Sequence, residues 1–177
     1  MELTPHYRRF FRAMLRFALI MLVAGGITGL VYQEMTKSLT YMVLDPGLRI
    51  EGLQRLAVLH GHSFLIGAVM PIVWLAMLYF SLLLGAPPIG PRGLRWIFWT
   101  YVPSAATVVM LIFYKGTHFV IELRGGSRDF SAINAGVFGG NKLLRGLAYG
   151  GSHSVATVAL GVFAVCVWRT LSKAPRT

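Results

Sequence analysis

Residues 56–84 read LAVLHGHSFLIGAVMPIVWLAMLYFSLLL, an apolar stretch long enough to cross a bilayer, which takes about 20 residues. His60 and His62 stand in its outer turns. An α-helix turns about 100° per residue, so the two imidazoles point roughly 200° apart and do not readily hold one metal from the same side. On opposite faces of one buried helix, each can serve a different site. Ionisable or metal-binding side chains are costly inside a bilayer and are functional candidates there. The competing reading makes both histidines polar glue, hydrogen-bonded to neighbouring helices.

Composition extends this reading to the whole chain, which is 55% hydrophobic and 13% charged with a mean hydropathy of +0.63. Those values exclude an ordinary soluble domain. Three further stretches match the first in kind: Met14–Gln33, Leu94–Phe119 and Ala148–Thr170. The expected fold is an all-α integral membrane protein, a four-transmembrane-helix bundle with both termini cytoplasmic. It forms one domain over 1–177, with helices at approximately 14–36, 53–84, 92–123 and 142–171. The run Phe17–Ala24 resembles a signal-peptide core. It continues past Gly29 into Tyr32 without a convincing small-x-small cleavage site, so it reads as a retained anchor.

Orientation follows from basic residues. Arg8, Arg9, Arg12 and Arg16 precede the first helix, Arg92 and Arg95 lie between the second and third, and Arg169, Lys173 and Arg176 close the chain. The positive-inside rule puts these in the cytoplasm of a multi-pass protein of the cytoplasmic (inner) membrane. The other side carries Lys37, Arg49, Arg55, Lys115, Arg124, Arg128, Lys142 and Arg145, so the arginines before helix 1 decide the matter. The net charge of +11 fits a lipid bilayer with anionic headgroups, not nucleic acid, which needs a soluble basic surface. The outer excess still calls for an anionic partner.

Several chemistries are excluded. Cys166 is alone, so no intrachain disulfide or multi-cysteine zinc site forms, and no Cys-x-x-Cys-His attaches haem covalently. No phosphate-binding glycine loop and no Ser/His/Asp set is present. Gly25, Gly29, Gly150 and Gly151 read as permitting close helix approach. Pro71 and Pro103, both mid-helix, are expected to bend their helices.

The polar residues share a depth. At about 1.5 Å per residue, His60 and His62, the set Lys115, His118 and Glu122, His153, and the end Tyr32, Gln33 and Glu34 all fall in one outer layer. His6 stands apart as a solvated residue. Imidazole suits haem iron, copper and zinc. Haem propionates pair well with the guanidinium fork, and Arg55, Arg124 and Arg128 lie at or just beyond the layer.

Gly29-Leu30-Val31-Tyr32-Gln33-Glu34-Met35-Thr36-Lys37, Leu59-His60-Gly61-His62 and Gly151-Ser152-His153 resemble an uncharacterised family of small bacterial four-helix membrane proteins, over most of the chain. Separately, His60-Gly61-His62-Ser63-Phe64-Leu65-Ile66-Gly67-Ala68-Val69 is similar to the His-x-His helix of haem-copper oxidase subunit I. That likeness implies that the two histidines ligate two different haems toward the outer side, with Arg124 and Arg128 as propionate partners in a comparable loop. The pseudo-threefold arrangement of the oxidase subunit implies a homotrimer of this chain. The adjacent His-His pair and the tyrosine-bearing helix of the oxidase copper site are missing, which argues against an oxygen reductase and for six-coordinate haem.

The expectation is a membrane-embedded haem b protein serving one-electron transfer, or redox or gas sensing. In the favoured arrangement His60 of one protomer and His62 of its neighbour share an interprotomer haem, because the two face opposite ways. In another, one of these and His153 flank a haem inside a single bundle. Arg55, Arg124 and Arg128 would bind propionates, Glu34, Lys115 and Tyr32 would support, and His118 would be a spare ligand. Two rivals stand beside it. One is a copper or zinc carrier built on His62, His118, His153 and Glu34. The other is an accessory or assembly subunit without a cofactor.

Overall fold

The computed structural model describes residues 3–41, 44 and 46–175; Arg176 lies outside them. It is 88% helical, with no strand among the described residues. Four long helices dominate: α1 (Pro5–Tyr41), α2 (Pro46–Leu83), α3 (Pro91–Arg124) and α5 (Lys142–Leu171). A short α4 (Phe130–Gly136) and a 3-10 turn, Val137–Gly140, join α3 to α5. Each long helix is long and apolar enough to cross a membrane.

Two helices start earlier than their apolar runs predict. α1 begins at Pro5 rather than residue 14, because its basic leader is amphipathic. Tyr7, Phe10, Met14, Ala18 and Met21 recur every three to four residues and are all buried, while Arg8, Arg9, Arg12 and Arg16 face outward. Proline is well suited to the first turn. His6, expected in solvent, is half-buried in that turn, its Nε2 3.3 Å from Thr4 Oγ1. α2 likewise starts at Pro46 rather than residue 53. The start of α5 matches expectation. There Asn141 caps the helix, its Oδ1 accepting from Leu144 N at 2.9 Å.

Pro71 leaves a specific mark on α2. Residues Ser63–Val69 form a π-helix, and the register persists into Met70, whose N–H bonds Leu65 O five residues back. The next bond in that register would run from residue 71 to Ile66 O, and proline has no N–H to give. The Tyr101 hydroxyl of α3 donates to Ile66 O instead, at 2.5 Å. Pro103 sits inside α3 without ending it.

The two ends of the bundle are packed differently. Around Tyr7, Met14, Trp74, Leu78, Ile97, Tyr101, Phe163 and Val167 lies a continuous apolar core. Trp74 stacks on Phe163 at 4.3 Å with 7° between the rings. The start of α1 and the end of α5 both lie here, since Tyr7 and Val167 share this cluster. Toward the histidines the apolar clusters are smaller, and cavities open between α2, α3 and α5.

Glycines set the α1–α2 approach. A Cβ on Gly67 would sit 2.7 Å from Met21 Cβ, and one on Gly29 would sit 2.8 Å from His60 Nδ1. A Cβ on Gly25 would sit 3.2 Å from the Phe64 ring. Gly150 and Gly151, expected to permit close approach, do not do so within the chain: a Cβ on either would meet nothing within 4 Å. Within the bundle, α5 meets its neighbours elsewhere, chiefly through the Ser152, Ala159, Phe163 and Val167 stripe.

Candidate functional site

His62 and His153 line the same two cavities. The outer chamber, about 420 Å³, is walled by Glu51, Gln54, Arg55 and Val58 of α2, Ile112 and Lys115 of α3, and Tyr149 of α5. The inner chamber, about 190 Å³, is apolar: Ile66, Met70, Ala105, Val108 and Leu160, with Tyr101 and Thr157. The histidine pair stands where a polar vestibule meets an apolar slot. The outer chamber alone falls within the ~300–1,000 Å³ usual for small-molecule sites.

Helical periodicity builds the vestibule. On α2, Glu51, Arg55, Val58 and His62 recur at four- and three-residue steps and so share a face. On α5, Tyr149, His153 and Thr157 recur every four residues. His62 Nδ1 lies 2.9 Å from Val58 O and His153 Nδ1 lies 2.7 Å from Tyr149 O. A carbonyl can only accept, so each Nδ1 carries the hydrogen, and in the neutral ring Nε2 then keeps the lone pair. That is the tautomer that presents Nε2 to a metal, with the backbone bond orienting the ring.

His60 differs. It faces α1, where its Nδ1–H donates to Gly25 O at 2.9 Å and its ring meets Phe64 edge-on at 4.6 Å. It lines neither chamber. The opposed directions expected of His60 and His62 are present, and the His60 bond to α1 is of the interhelical packing kind.

Charge in the vestibule is mainly positive. Arg55, its side chain 15% exposed, lies 3.4 Å from Glu51. Its guanidinium is 4.9 Å from the centre of the Phe119 ring and 5.3 Å from that of Phe130, and its Nε is buried without a hydrogen-bond partner. Lys115 lies 5.5 Å from the centre of the Tyr149 ring, whose hydroxyl donates to Leu111 O at 3.0 Å.

The remaining candidates lie elsewhere. Arg128 Nη1 donates to Leu123 O and Ser127 O at the end of α3, and neither it nor Arg124 lines a chamber. His118 Nε2 is 3.2 Å from Ile133 O of α4. Glu34 pairs with Lys37 on the exposed end of α1, and Tyr32 packs beside the Phe119 and Leu123 cluster. Among the described residues, no three His, Cys, Asp or Glu side chains group as a metal site, so His62, His118, His153 and Glu34 do not converge on one ion. Gln54, Tyr149, Tyr101 and Thr157 also line the chambers. Metal-ligand chemistry does not single them out in the sequence, although Tyr149 and Thr157 share a helical face with His153.

The family model described as "Protein of unknown function (DUF2871)" matches residues 11–170. The chain belongs to this family. No curated protein and no solved structure matches it. Membership of DUF2871 thus spans all four long helices and both chambers, while the likeness of the His60–Val69 segment to an oxidase helix gains no support from these comparisons.

Proposed function

We propose that this DUF2871 chain is a multi-pass membrane protein that binds haem b within its own bundle, between His62 and His153, for one-electron transfer or redox sensing. Large apolar side chains face outward on all four long helices, among them Ile20, Leu30, Ile72, Met110, Leu147 and Trp168, which supports burial in lipid. The start of α1 and the end of α5 lie together at the end of the bundle that carries Arg8, Arg9, Arg12 and Arg16, which supports cytoplasmic termini.

One observation carries the haem reading. Two histidines on different helices, both with Nδ1 held by backbone and Nε2 left as a lone pair, line one pair of chambers. The residues present fit the group. The apolar side chains below the histidines suit a macrocycle's face, which needs more room than the inner slot alone and so must reach into the vestibule, where Arg55 and Lys115 suit its carboxylates. Bound there, the iron would supply reversible one-electron chemistry, and this chain's part is to ligate, orient and exclude water. A two-histidine haem site also needs no third metal-binding side chain, whereas a zinc site takes three or four.

The test is a visible spectrum of the detergent-purified protein, oxidised and dithionite-reduced, with and without carbon monoxide. The expected result is sharp b-type bands that carbon monoxide leaves unchanged. A shift with carbon monoxide replaces electron transfer by gas binding at an open iron position. No Soret band after expression with ample haem overturns the reading.

A further inference from the structure

At the arginine-rich end, a groove of about 270 Å³ runs between α1 and α3, far from the histidine chambers. Its walls repeat one pattern. α1 contributes His6, Arg9, Phe10 and Ala13, and α3 contributes Pro91, Leu94, Arg95 and Phe98, with Trp99 beside it. Both sets follow the spacing of zero, three, four and seven residues that defines a single helix face. Each helix therefore presents one arginine within its first two turns and an aromatic ring deeper in.

Among the described residues charge is unbalanced here: no carboxylate lines the groove, and neither Arg9 nor Arg95 forms an ion pair. The carboxylates of the described chain, Glu34, Glu51, Glu122 and Asp129, all lie toward the other end. Below the arginines the lining turns apolar and aromatic, and Trp99 is 66% exposed, as suits a ring at a membrane interface. A cationic mouth over an aromatic floor complements one kind of ligand, an anion joined to a hydrocarbon chain.

We propose that this groove holds one anionic phospholipid, with its phosphate between Arg9 and Arg95 and an acyl chain along Phe10, Phe98 and Trp99. Basic pockets between transmembrane helices on the cytoplasmic side recognise headgroups in this way. The inference rests on membrane insertion as proposed above and is independent of haem.

The test compares the full chain with Arg9→Gln/Arg95→Gln and with Arg12→Gln/Arg92→Gln, which removes the same charge at the same end outside the groove. Each is placed in nanodiscs of phosphatidylcholine doped with phosphatidylglycerol, and retained lipid is counted by native mass spectrometry. The expected result is roughly tenfold weaker retention of phosphatidylglycerol by Arg9→Gln/Arg95→Gln, the scale of losing one to two headgroup cations, with the other pair near wild type. Equal retention by all three proteins overturns the site. An equal loss in both variant pairs assigns the effect to diffuse charge and also overturns it, as does soluble glycerophosphate displacing the lipid at matched concentration. Alkaline carbonate extraction of wild-type membranes keeps the two readings apart. Release into the supernatant overturns membrane insertion itself, whereas retention with no lipid preference overturns only the groove.

Discussion

The Tyr101 hydroxyl donates to Ile66 O, the one carbonyl that Pro71 strips of its partner in the π-helical register of α2. That bond ties α3 to α2 a turn below His62. A π segment shifts the helical phase, and such segments recur at functional sites. Here the residues on either side of it, His62 and Met70, both face the inner chamber. Tyr101 also lines that chamber, so one side chain satisfies the backbone and shapes the slot.

Tyr101→Phe is therefore expected to cost about 1–3 kcal/mol, the penalty for leaving a buried acceptor unmet. Thermal unfolding in detergent should show the fall. A melting temperature equal to wild type would mean that water or backbone adjustment serves Ile66 O, and the tyrosine is then only a chamber wall.

The α1–α2 contact makes a second expectation. Gly67→Ala would press a methyl to 2.7 Å from Met21 Cβ, an atom fixed to the backbone, so the helices must separate. Overpacking of this kind costs roughly 1–3 kcal/mol. Gly150→Ala meets nothing within 4 Å and should leave stability equal or raised by about 0.5–1 kcal/mol. Comparable losses at both positions would reveal a neighbour on α5 outside the single chain.

Much of this was legible in the sequence, and the limits have physical causes. Four apolar runs gave the helix count because a bilayer-spanning helix has few other solutions. The start of α1 was hidden because hydropathy averages over Arg8, Arg9, Arg12 and Arg16, while the buried stripe of Tyr7, Phe10 and Met14 shows only when read at helical period. His60 and His62 were legible as opposed, from 100° per residue. Which of them faces a cavity was not, since that depends on α1 supplying the Gly25 carbonyl on one side and α5 supplying His153 on the other. Of the three outer arginines that the sequence singles out, Arg55, Arg124 and Arg128, only Arg55 lines a chamber, on the same face of α2 as His62.

Arg55 yields the third expectation. Under the haem reading, Arg55→Gln removes a charge-assisted partner of a carboxylate, worth about 1.5–3 kcal/mol, or roughly 10- to 100-fold in haem affinity. Arg128→Gln, which loses only its contacts to Leu123 O and Ser127 O, should bind haem as wild type does. Haem titration of apoprotein distinguishes the two. Equal weakening would assign the carboxylates to the outer loop instead of the vestibule.

The ligand assignment itself gives the sharpest contrast among single variants. His62→Ala and His153→Ala should each abolish the six-coordinate spectrum, because either change leaves one axial position without nitrogen. His60→Ala should keep the bands and lower stability, since it breaks the bond to Gly25 O and opens space beneath Gly29. Its effect is thus on melting, and theirs on colour. If His60→Ala bleaches the protein while His153→Ala does not, the haem lies between protomers on the two faces of α2, and the chamber lined by His153 serves another ligand.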